Sequence, residues 1–98
     1  MAAKLTSSLT DDLDHCIECG RSPVEMHHVF FGEHINRVYA EEDGFIIPLC
    51  WKHHTGDWRH CIHGNNALAM KWKMIAQCKY EETHTRDEFR KRYGKSYL

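Results

Sequence analysis

No stretch of this chain is apolar for long enough to cross a bilayer, which takes about 20 consecutive apolar residues. Its first residues, MAAKLTSSLTDDLD, hold neither a basic segment nor an apolar one of the kind that directs secretion. Repeats, low-complexity tracts and linkers are missing as well, which excludes a solenoid or a string of modules. There is no His-Glu-x-x-His, so nothing supports a zinc-protease helix. A strong net charge is also lacking: 13 basic and 14 acidic side chains leave a formal charge of -1, and composition alone makes no electrostatic case for nucleic acid. The expectation is one soluble, cytoplasmic domain over residues 1–98, with no membrane association.

Such a domain has a single core that would be marginal alone, so a structural metal would be a useful staple. Donors for one are abundant. Five cysteines, an odd number, read as ligands and spare thiols in a reducing compartment, not as a disulfide framework. Of the nine histidines, seven (His27, His28, His34, His53, His54, His60 and His63) fall between the second cysteine and residue 64, and none forms a terminal tag-like run. Charge is uneven too: residues 1–43 hold nine acids and three bases, whereas residues 66–98 hold eight bases and four acids. That basic third could track phosphates or simply be solvated helix face.

The expected order is knuckle, strand, loop, strand and three helices. Cys16-Ile17-Glu18-Cys19-Gly20 reads as a tight turn, closed by Ser22-Pro23. Val24 to Phe31, rich in β-branched and aromatic residues and ended by Gly32, reads as a strand carrying the first His doublet. Residues 33–44 read as a polar loop with at most one helical turn near Ala40-Glu41-Glu42. Phe45-Ile46-Ile47 reads as a buried strand whose pairing Pro48 ends. Cys50 to His54 starts a short helix broken at Gly56, followed by an irregular stretch through Gly64. Asn65 or Asn66 caps a helix to about Tyr80 whose inner face is expected from Leu68, Trp72, Ile75 and Cys78. Thr85 and Glu88 form a capping box for a last helix with Phe89 and Tyr93 inward and Gly94 as its stop. Met70, Met74 and the three tryptophans are expected to fill core or interface. The N-terminus is expected to fray.

Cys16-x-x-Cys19 and Cys50-x-x-His53 each have the spacing by which a turn offers two ligands to one tetrahedral zinc. One C-x-x-C could be an ordinary thiol pair or a redox motif; the second pair after a β-rich insert points to a Cys3His zinc clipping a long loop. Adjacent residues face opposite ways on a strand and diverge by about 100° on a helix. If His53 turns to the zinc, His54 is aimed elsewhere, and His27 and His28 are likewise divided. His54 could then join one histidine of the first doublet and a third ligand at a second metal. His63, beside Gly64, is favoured for that place, with His60 and Cys61 as alternatives.

The layout Cys-x-x-Cys, His-His on a strand, then Leu-Cys-x-x-His-His at a helix start resembles the HNH endonucleases of the ββα-metal fold. HHVFFG, Asn36-Arg37, Gly44 followed by IIPLC, and His53-His54 with Ile62-His63 are similar to phage and prophage HNH proteins related to RecA-dependent recombination nucleases. The resemblance covers residues 16–64; residues 65–98 match only loosely and read as a helical extension. It implies an α+β fold with a ββα-metal core stapled by structural zinc. It further implies His28 as general base and His27, His54 and His63 as ligands of a catalytic divalent ion, with 5′-phosphate and 3′-hydroxyl products. One departure stands out: where the family has its asparagine, this chain reads Asp43-Gly44-Phe45. Asp43 or Asn36 could take that role.

Phosphodiester hydrolysis needs a base for water and charge stabilisation at the phosphate, and a neutral histidine beside a divalent ion can supply both. Three imidazoles suit zinc or nickel, while Mg²⁺ or Mn²⁺ would need oxygen ligands from phosphate and water. DNA is the expected partner, through backbone contacts from Arg37, Lys52, Arg59, Arg90, Lys91 and Arg92, with a recombinase or other DNA-processing protein as a further partner. Oligomeric state is not legible. The competing reading is a non-catalytic zinc module that binds nucleic acid or protein.

Overall fold

The computed structural model describes residues 5–98. It is a small mixed α/β fold in which a two-stranded antiparallel sheet is surrounded by helices, with a radius of gyration of 13.2 Å, close to the ~13 Å of a compact 100-residue domain. The first strand, β1, spans Glu25–His28 and the second, β2, Ile46–Leu49. Glu25 pairs with Leu49, Met26 with Pro48, His27 with Ile47 and His28 with Ile46.

Pro48 is therefore inside the pairing and does not end it. Its carbonyl accepts from the N–H of Ile17 at 2.9 Å, on the side away from β1. In a two-stranded sheet every strand is an edge, so a missing outward N–H costs the ladder nothing. That outward bond also ties the Cys16–Gly20 knuckle to β2.

Residues 33–44 depart most from expectation. They form a helix, α1, over His34–Asp43, with Gly44 as a left-handed cap whose N–H reaches the carbonyls of Ala40 and Glu41. Neither a side-chain N-cap nor an acid in the first turn marks its start. Tertiary contacts hold it: Ala40 is fully buried, and α1 packs on β1 and on the last helix. After β2 the chain enters a π-helical turn, Lys52–Gly56, in place of a regular helix.

Helix α2 spans Asn66–Tyr80, and the Asn65 side chain caps it by accepting from the N–H of Leu68. Its buried residues are Ala69, Trp72, Ala76, Gln77 and Tyr80, so the inner face is rotated from the expected one; Ile75 and Cys78 are exposed. Both sets keep helical spacing, and the alanines win because they allow close approach to the core. Gln77 is buried with its polar atoms met by Glu81, Ser96 and the N–H of Tyr97. Helix α3, Arg86–Tyr93, begins with the expected Thr85–Glu88 capping box, buries Phe89 and Tyr93, and stops at Gly94.

The core gathers Phe30, Phe45, Phe89 and Tyr93 from β1's end, β2's start and α3, with ring centroids 4.3 to 6.0 Å apart. Such pairs are worth about 0.5–1.5 kcal/mol each beyond area burial. Trp72 joins this core, but Trp51 and Trp58 are exposed and Met74 is partly so, against the expectation that they fill it. The frayed N-terminus lies, for residues 1–4, outside the described residues; Ser8 is pinned, its N–H donating to the Gly44 carbonyl at 2.7 Å.

Candidate metal centre

Two groups of donors converge, each with all its ligand atoms within 4.8 Å of one another. The first joins Cys16, Cys19, Cys50 and His53. The knuckle closes on itself through Gly20 N–H to Cys16 carbonyl and Cys16 N–H to Arg21 carbonyl, both 2.8 Å. Cys50 follows β2 directly and His53 lies one turn on. Cys19 and Cys50 Sγ are 3.6 Å apart, Cys16 Sγ and His53 Nδ1 3.7 Å, and Cys50 Sγ and His53 Nδ1 3.3 Å. A tetrahedron with ~2.3 Å Zn–S and ~2.0 Å Zn–N bonds has edges of about 3.5–3.8 Å. The cluster could therefore hold a metal such as zinc. Burial disfavours the Cys16 thiolate, but backbone donation from Cys50, Glu18 and Cys19 outweighs it and holds that thiol below its ordinary pKa.

The second group joins His27 on β1, His54 on the π turn and His63 beyond it. His54 and His63 Nε2 are 3.2 Å apart, and the His27 ring lies 5.3 and 5.1 Å from theirs, centroid to centroid. His27 is only 3 % exposed, and its Nε2 is buried without a hydrogen-bond partner. An unpaired nitrogen there would be a net cost, which coordination would remove. Burial, then the neighbouring His63 and His54, push the His27 pKa down to about 3, so the ring is neutral, as a ligand must be. His63 is displaced the same way by burial and His54. These three histidines border an open cavity of about 220 Å³ with Met26, His28, Phe31 and Arg37.

Two carboxylates absent from the sequence reading complete the surroundings. Glu25 Oε1 is 3.2 Å from His54 Nδ1, leaving Nε2 for the cluster. Glu41 Oε1, carried by α1, is 3.0 Å from His28 Nε2. An ionised carboxylate only accepts, so each pairing puts the proton on the facing nitrogen and leaves the other ring nitrogen as the lone-pair site. Only long-range geometry brings these pairs together, 29 and 13 residues apart. Lys73 of α2 also reaches the rim, 5.0 Å over the Phe31 ring.

The remaining candidates separate. Asp43 accepts from Arg92 Nε at 2.7 Å and from the Tyr93 hydroxyl, and neither it nor Asn36 bonds His28 through its side chain among the described residues. Arg92 also lies 4.1 Å over the Tyr39 ring, so it is engaged inside the fold. Arg90 pairs with Asp87 at 3.5 Å. Arg37, Lys52, Arg59 and Lys91 have no ion pair among the described residues. His60 bonds Asp57 at 2.7 Å, and Cys61 is fully buried; neither joins a donor group.

No family model, curated protein or solved structure matches the chain. No helix among the described residues is long and apolar enough to cross a membrane.

Proposed function

We propose that this chain is a metal-dependent DNA endonuclease or nickase of the HNH kind, with a zinc-stapled ββα-metal core. The observation that carries the reading is the fork at each doublet. His53 turns to the cysteine cluster and His54 to the histidine cluster, while His27 joins that cluster and His28 stands beside it on the same cavity, bonded to Glu41. The doublets also lie on β1 and on the helical turn after β2, although helix α1 intervenes between the two strands, and that placement supports the reading.

In this reading His27, His54 and His63 hold a divalent ion, which when bound stabilises charge on the scissile phosphate and the departing 3′-oxygen. Glu41 accepts the Nε2 proton of His28 and fixes the ring. His28 Nδ1 is then the open lone pair that takes a proton from the attacking water, and Glu41 steadies the resulting imidazolium. Glu41 thus stands where the family's asparagine is missing. Arg37, Lys52 and Arg59 supply cations for the DNA backbone.

The test is nicking of supercoiled plasmid by wild type and His28→Ala with Mg²⁺, Mn²⁺, Ni²⁺ or Zn²⁺, with metal counted per chain. The expected result is two metal sites, the second more exchangeable, and activity that disappears with His28. One tight zinc per chain and no nicking with any ion would leave a non-catalytic zinc module.

A further inference from the structure

The largest exposed apolar groups in the described chain are two indoles, Trp51 at 67 % exposure and Trp58 at 70 %. A single exposed apolar ring is ordinary, so the setting of these two decides what they do. Neither ring is loose. A Cβ at position 56 would collide with the Trp51 ring, and one at position 64 would collide with the Trp58 ring and its carbonyl. Each indole therefore packs against a glycine while about two-thirds of the residue stays open to solvent.

Their setting gives the partner's chemistry. Trp51 is followed by Lys52 and Trp58 by Arg59, both cations without an ion pair among the described residues. The same segment, residues 51–64, carries His53, His54 and His63. Asp57 is its only acid, and its carboxylate is taken by His60 and the N–H of Arg59. An aromatic ring followed in the chain by a cation, twice, suits a base stacked on the ring with its phosphate on a nearby charge. A base inside a duplex has no free face to offer.

We infer that Trp51 and Trp58 are stacking platforms for unpaired nucleotides, so that the strand delivered to the histidine cluster is single-stranded or locally unpaired DNA. This deepens the nuclease reading and rests on it for the outcome of binding, though not for binding itself. Rings already held in place lower the ordering cost of capture, and stacking tolerates any base.

The test uses full-length, zinc-loaded protein in a His28→Ala background to prevent cleavage. Labelled oligothymidylate and a duplex of equal length are titrated while indole emission and label anisotropy are followed. Oligothymidylate is expected to quench the emission and bind more tightly than duplex. Trp51→Ala and Trp58→Ala should each weaken it about 5- to 100-fold, with Phe at either position restoring most of the loss. Oligothymidylate affinity unchanged by either Ala substitution would overturn the inference, as would an equal loss on duplex or no DNA binding at all. A dimer in sedimentation that Trp51→Ala dissolves would also overturn it, assigning the face to a second copy. Stacking without plasmid nicking would sink the nuclease reading alone.

Discussion

The Cys16–Cys19–Cys50–His53 knot and the His27–His54–His63 cluster draw on adjacent residues of the same segments, yet one is closed and the other open. The knot offers four donors, three of them soft sulfurs, on edges that suit a filled tetrahedron. The cluster offers three imidazoles and borders a cavity shared with His28 and Arg37. A four-donor site leaves a zinc ion no vacancy; a three-donor site leaves room for water or phosphate. In the proposed reading, donor number and access, more than closeness in sequence, would divide holding the fold from acting on a ligand.

Breaking the knot is expected to have the largest effect. Structural zinc contributes about 10–16 kcal/mol of apparent binding free energy in zinc-finger peptides, comparable to a whole domain's stability of about 5–15 kcal/mol. Cys16→Ser should abolish near-UV circular dichroism and dispersed amide resonances. A well-dispersed, zinc-free Cys16→Ser protein would show that the knot is not what closes the fold.

Disabling the open site should spare the structure and remove the chemistry. Loss of a general base typically costs about 10²–10⁴-fold in rate, so His28→Ala should lower nicking by that factor while keeping both metals and the wild-type spectrum. If both sites emptied together, the division between them would be wrong.

A finer cut separates the sites through Glu25, whose side chain hydrogen-bonds only His54 among the described residues. Outer carboxylates of this kind are worth about 10- to 100-fold in metal affinity. Glu25→Ala should weaken Co²⁺ at the histidine cluster by that factor, read from visible absorption under competing chelator, with the thiolate-bound ion unchanged. Equal affinity at the cluster would count against Glu25 as a ligand-orienting group.

What the sequence makes legible follows the range of the interaction. Cys16-x-x-Cys19, Cys50-x-x-His53, the Asn65 cap and the Thr85–Glu88 box are local devices, and each stands where the spacing puts it. Helix α1 was hidden because HINRVYAEED carries no side-chain cap, no acid in its first turn and no base in its last. Long-range contacts, chiefly Asp43 with Arg92 and Tyr93, hold its end. Glu41 was hidden for the same reason: its distance to His28 depends on α1 existing. The rotated face of α2 shows a different limit, since two residue series share helical spacing and only packing chooses between them.

That clasp gives the smallest effect and tests whether the open site depends on α1. Burial, and then Asp43 as its hydrogen-bond partner and neighbouring charge, push the Tyr93 pKa well above its ordinary value of 10. An unfolded chain releases tyrosine protons as pH passes about 10, whereas folded Tyr93 keeps its own. Above that pH the unfolded state binds fewer protons than the folded one, so stability falls as pH rises, by up to about 1.4 kcal/mol per unit for this group. Urea midpoints between pH 9 and pH 11 should therefore fall more steeply for wild type than for Tyr93→Phe, which has no proton to lose. Parallel profiles would mean that the clasp does not stay protonated. Because the clasp anchors the helix that carries Glu41, and the knuckle is tied instead to β2 through Ile17, its weakening should lower nicking before it releases zinc from the knot.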